Sequence, residues 1–115
     1  MQVTRLADAP AYEAPNHFDM RGVRLQGWDV SDSQNFWVGL SHFLPGGGVH
    51  RDATPLEKVY VLLDGELTVI TDDGEQTLAP LDSCHIPAGE ARSIVNRGTQ
   101  TAQLLVVMPY PEGAR

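Results

Sequence analysis

A single cysteine, Cys84, in 115 residues leaves no partner for an intrachain disulfide, so nothing calls for an oxidising compartment. A reducing cytoplasm is the expected setting. Lys and Arg number 8 against 15 Asp and Glu, a formal charge of −7, so the clustered cations that displace counterions from nucleic acid or an anionic membrane are missing. Neither is expected as a partner. A small anion stays compatible with this balance, because one local Arg outweighs a distant net charge. The longest apolar run, Leu104 to Met108, falls far short of the roughly 20 residues a bilayer requires. The first fifteen residues lack the basic-then-apolar order of a secretory leader. Helix periodicity is also scarce: no window of eleven or more residues holds a 3.6 spacing without a Gly or Pro interrupting it.

What is present is a core-forming composition, 42% hydrophobic and 20% charged, in a length that supports one domain and one principal site. Strand-like segments dominate: Val23 to Gln26, Phe36 to Leu44, Val49 to Asp52, Lys58 to Leu63, Leu67 to Thr71, Gln76 to Leu78, Ser83 to Ile86, Arg92 to Val95 and Thr101 to Met108. Turn chemistry separates them at Pro45-Gly46-Gly47-Gly48, Asp64-Gly65, Asp72-Asp73-Gly74, Pro87-Ala88-Gly89 and Arg97-Gly98. Many short strands with this punctuation predict an all-β sandwich, barrel or jelly roll. Residues 1–22 read as an irregular arm, 23–108 as the barrel and 109–115 as a tail that frays.

Two segments carry the chemistry. The first is PGGGVHRDATPLEKVYVLLDGELTV, with His50, Asp52, Glu57 and Gly65; the second is LDSCHIPAGEARSIVNRG, with Pro87, Gly89, Arg92 and Asn96. Together they resemble the paired signatures of the cupin superfamily over about residues 36 to 108. The resemblance implies a double-stranded β-helix, a jelly-roll barrel, and a homodimer. In metal-binding cupins three His and one Glu converge on a divalent transition metal. This chain matches with His50 and Glu57 but departs from the pattern with Asp52 at the second His position, Leu81 at the first Gly of the second signature, and Arg92 at the last His. A guanidinium keeps its proton and cannot ligate.

The spacing also leaves the fourth position open. Seven residues separate Glu57 from Gly65 where the signature has six, and strand alternation puts Lys58, Tyr60 and Leu62 on one face and Glu57, Val59 and Val61 on the other. With Lys58 inside, the pocket holds His50, Asp52, Lys58 and Arg92, an acid/base and anion-binding set. With Glu57 inside, a weak metal site of His50, Asp52, Glu57 and His42 remains, and a set of His42, His50 and His85 is a further alternative. No metal or other cofactor is favoured. Asp52 and Arg92 also read as a plain salt bridge in the barrel wall, and Cys84 as an inert core residue. Trp28, Trp37 and Phe43 read as core or cavity wall, and His17 as a pocket lid.

These residues point to a small-molecule enzyme of the isomerase, lyase or decarboxylase type. Arg92 would hold a carboxylated or oxygen-rich metabolite, with Lys58, Tyr60, His42 and Trp37 as further contacts, and His50, oriented by Asp52, would move the proton. The alternatives are a cupin that binds its ligand without turnover and a metal-dependent cupin dioxygenase.

Overall fold

Alternation of inward and outward side chains builds the barrel, seen at its clearest in Lys58–Asp64, where Lys58, Tyr60 and Leu62 are buried while Val59 and Leu63 are exposed. The computed structural model describes residues 1–115. After a short 3-10 turn at Leu6–Asp8 come β1 (Ala11–Tyr12), β2 (His17–Gln26), β3 (Trp37–Asp52), β4 (Lys58–Asp64), β5 (Leu67–Thr71), β6 (Gly74–Leu78), β7 (Ser83–Ile86), β8 (Arg92–Val95) and β9 (Ala102–Met108). The strands pair antiparallel in the order β6-β5-β8-β3-β9-β4-β7, with β2 added on β3 and β1 on β2. Neighbours in the sheet are mostly not neighbours in sequence, which is jelly-roll connectivity. No helix is long and apolar enough to cross a membrane.

The core lies between the two walls, where Phe43, Leu62, Leu67, Ile94 and Leu104 are fully buried. Asn96, 1% exposed, ties the β8–β9 loop to β3. Its Nδ2 donates to Phe43 O at 3.0 Å and Gln100 O at 2.8 Å, and its Oδ1 accepts from Gly98 N at 2.9 Å.

Three expectations are corrected. The segment Pro45–Gly48 does not separate two strands but lies within the 16-residue β3. Its first part pairs with β9 and its last part with β8, so β3 passes from one wall to the other through the glycines. Two of them are needed for close approach: a Cβ on Gly47 would lie 2.4 Å from Asp19 O, and one on Gly48 2.0 Å from Ile94 O. The arm is not irregular as far as residue 22, since β2 begins at His17 and pairs with β3. A register shift between Phe18 and Met20 breaks the alternation there, which hides the strand from a period-2 reading. The tail is fastened rather than frayed: the buried Tyr110 donates its hydroxyl to Ser33 O at 2.6 Å, and Arg115 Nη1 donates to Ser31 O at 2.5 Å.

Candidate active site in the barrel interior

The inward faces of β2, β3, β4, β8 and β9 enclose a cavity of about 230 Å³, and the arm segment Tyr12–Pro15 covers its mouth. Its apolar wall comes from Trp28, Trp37, Phe43, Ile94, Leu104, Val106 and Met108. Its polar wall comes from His17, Arg24, Ser41, Asp52, Thr54, Lys58, Tyr60 and Arg92. A wider recess of about 670 Å³ lies against the same arm, sharing Tyr12, Glu13, Ala14 and His17, but its charged residues, Glu13 and Arg21, are exposed.

The cations are the unusual part. Arg92 is 4% exposed and Lys58 3%, yet neither has a carboxylate within ion-pair distance. Arg92 Nε donates to Tyr60 Oη at 3.0 Å, and its Nη1 donates to Asp52 O at 3.2 Å. Lys58 Nζ donates to Thr54 Oγ1 at 3.0 Å and to Leu56 O at 3.2 Å. Burial lowers the Lys58 pKa and the neighbouring Arg92 lowers it further, with Asp52 opposing. The Tyr60 phenol is pushed up by burial against the pull of Arg92, so it stays protonated at neutral pH. Two buried cations held by uncharged oxygens form a site prepared for an anion or for several ligand oxygens.

The histidine inside is His17. Its Nδ1 lies 2.7 Å from Pro15 O, a carbonyl that can only accept, so Nδ1 carries the proton and Nε2 is left as the acceptor when the ring is neutral. Its ring stacks on Phe43 with centroids 6.2 Å apart. Burial lowers its pKa, which favours that neutral form.

Lys58, Tyr60, Arg92, Asp52 and Trp37 therefore meet in one cavity, and the other expected residues stand outside it. His50 is exposed, with its ring 4.4 Å from Phe18, and takes no part in the lining. A register shift between Val49 and Asp52 breaks the alternation that would place His50 and Asp52 on one face. His42 lies between the inward Ser41 and Phe43, and its Nδ1 is 3.3 Å from Arg21 O. Glu57 turns outward and meets His85, with Oε1 3.2 Å from Nε2. The ligand sets built on these histidines are thus dispersed, and no group of three His, Cys, Asp or Glu side chains could hold a metal. The cupin donor set does not fit a metal here, since Arg92 fills one corner and His50 faces away. Nor does an Asp52–Arg92 salt bridge form; the guanidinium reaches the Asp52 carbonyl instead. Cys84 packs against the core, and burial raises its pKa, which keeps the thiol protonated and unreactive. Nothing in the sequence signals Tyr12 or Arg24 as lining residues, since Tyr12 lies in a two-residue strand between prolines and Arg24 reads as a solvated charge.

A jelly-roll barrel with one polar-lined interior cavity defines the class, and the comparisons agree. The cupin domain family matches residues 39–108. The chain is 47% identical over 111 residues, 96% of each chain, to a Mycobacterium tuberculosis protein named beta-D-galactosidase. It superposes on a polyketide cyclase from Streptomyces resistomycificus with a TM-score of 0.84 at 21% identity, covering 95% of this chain and 79% of the other. A sugar phosphate isomerase from Silicibacter pomeroyi gives 0.78 at 23% identity, covering 93% and 74%. The chain belongs to the cupin family, as a small single-domain member.

Proposed function

We propose that the protein is an enzyme acting on a compact, oxygen-rich substrate of monosaccharide size, and that β-galactoside hydrolysis is its reaction. The observation that carries the reading is the cavity itself, whose lining brings the Trp28 and Trp37 rings together with the polar groups of Lys58, Tyr60 and Arg92. Aromatic faces suit the C–H faces of a sugar ring, and fixed donors suit its hydroxyls. A volume of about 230 Å³ lies below the roughly 300–1,000 Å³ of drug-sized pockets. The relative's name supplies the reaction.

Glycoside cleavage calls for an acid that protonates the leaving oxygen and a carboxylate that acts on the anomeric carbon or on a water. The lining offers two carboxylates, Asp52 inside and Glu13 on the arm. In this reading Glu13 gives its proton to the departing oxygen as the anomeric C–O bond breaks. Asp52 takes a proton from the water whose oxygen forms the new bond, releasing sugar and alcohol. A second reading, isomerisation of a carbonyl sugar, is favoured by the cations beside the neutral His17. They stabilise an enediolate, whereas they repel the positive charge of an oxocarbenium ion.

The test is release of nitrophenol from o-nitrophenyl β-D-galactoside by wild type, Asp52→Asn and Glu13→Gln. Release that either variant abolishes supports hydrolysis at this site. No release by wild type sinks the hydrolase reading, and undiminished release by both variants moves the chemistry elsewhere.

A further inference from the structure

One cation in the cavity has aromatic neighbours but no hydrogen-bond acceptor and no carboxylate. Arg24 takes part in no side-chain hydrogen bond and no ion pair, and its Nε is buried. Its guanidinium carbon lies 4.8 Å from the centre of the Tyr12 ring, 5.1 Å from that of Trp28 and 5.8 Å from that of Trp37. Trp28 Nε1 is the other buried side-chain donor without a partner, and it sits beside this cation. Two donors without a protein acceptor, one belonging to a full charge, thus lie side by side in the cavity wall.

The surroundings fix them there. Gly39 opposes Arg24 across β2 and β3, and a Cβ on Gly39 would lie 2.7 Å from Tyr12 Oη, so the missing side chain makes room for the tyrosine. Trp28 adopts φ +50, in the left-handed region that a tryptophan rarely occupies. Its N–H donates to Tyr110 Oη at 3.2 Å, and its ring stands edge-on to Tyr110 with centroids 5.0 Å apart. The strain is held by Tyr110 on one side and by the Arg24 contact on the other. Arg24, Gly39, Val106 and Tyr60 form one row across four adjacent strands. The backbone anchors of Arg24 and Tyr60, which meets Arg92, are therefore on the order of 14 Å apart along the sheet.

We infer that Arg24, beside Trp28, forms a carboxylate subsite, so that the preferred glycoside is that of an acidic sugar, a galactose ring oxidised to a carboxylate at C6, with the carboxylate toward the Arg24 guanidinium and the hydroxyls toward Lys58 and Arg92. The three rings offset part of the guanidinium charge and a water could accept from it, but no carboxylate of the protein pairs with it. The inference rests on the sugar reading of the cavity and adds the charged group.

Trp28 and Trp37 are the chain's two tryptophans and both line the cavity, so intrinsic fluorescence reports binding directly. Titration with D-galacturonate and D-galactose is expected to show at least a tenfold preference for galacturonate, reduced to about onefold in Arg24→Gln and weakened several-fold in Trp28→Phe. Circular dichroism checks that both variants fold. Equal affinity of wild type for the two sugars, or a preference that survives Arg24→Gln, overturns the subsite while leaving the sugar reading intact. If neither sugar binds, the sugar reading falls, and propionate followed by the Trp28 indole N–H resonance decides the subsite. A shift seen in wild type and lost in Arg24→Gln upholds it, and an unmoved resonance overturns it.

Discussion

The inner and outer faces of the barrel use the same charged residue types in opposite ways. Outside, Arg51 meets Asp72 at 2.7 Å, Arg97 meets Glu75 at 2.7 Å, and His85 meets Glu57 at 3.2 Å, all with side chains at least half exposed. Inside, Arg24, Lys58 and Arg92 have no carboxylate partner at all. A chain with almost twice as many acidic as basic residues leaves these cations without an ion pair, even though Asp52 lines the same cavity. Pairing is found where water already screens it and withheld where the charge would be costly. Such an arrangement makes the interior receptive to a ligand's oxygens, and the difference between the faces can be probed one residue at a time.

The largest expected effect comes from a buried polar group that is fully satisfied. Asn96→Ala removes three hydrogen bonds at a site with 1% exposure. It should destabilise the fold by about 3 kcal/mol in urea unfolding, since the Phe43 carbonyl is left buried without its donor. A loss comparable to that of an exposed substitution would mean that water enters the β8–β9 loop and that the two faces differ less than their burial implies.

Lys58 should show the reverse sign. Its folded pKa lies below the ordinary value because of burial, then Arg92. Through the alkaline window between that lowered value and the ordinary ~10.4, the unfolded chain holds a proton the folded chain has released, so stability rises with pH. Below that window the cost of the buried ammonium is present in full. Lys58→Met is therefore expected to gain about 1 kcal/mol near neutral pH and to lose the alkaline rise, while weakening ligand binding. A variant less stable than wild type at pH 7 would show that the bonds to Thr54 and Leu56 outweigh desolvation.

Much of the barrel was legible because turn chemistry is local. Leu67–Thr71, Ser83–Ile86 and Arg92–Val95 follow directly from the Gly-containing turns and alternation that bound them. The inward face of β4 follows from counting back from Gly65. The errors fall at irregularities that nothing in composition marks: the shift after Phe18 hides the first part of β2, and the one between Val49 and Asp52 puts His50 and Asp52 on different faces. One extra residue reverses which side chains face the cavity. Arg24 was illegible for another reason, since a lone Arg among polar neighbours reads as a solvated charge until the fold brings Tyr12, Trp28 and Trp37 around it.

The smallest effect is expected on the outer face, and its smallness is the informative part. Arg97 donates through both Nη atoms to Glu75, at 2.7 and 3.1 Å, the two-pronged geometry in which a guanidinium and a carboxylate fit best. The pair shifts both pKa values in the expected directions, Glu75 down through its hydrogen bond with Arg97 and Arg97 up through the same contact. Yet both side chains are about half exposed, so salt and water take over most of what the pair supplies, and ordering two long side chains opposes the rest. Arg97→Ala should leave the melting temperature within experimental error of wild type at physiological salt, with a small drop emerging only at low ionic strength. A clear loss of stability that persists in high salt would show that the hairpin of β5 and β6 depends on this contact, and the contrast between the faces would then lie in geometry rather than in exposure.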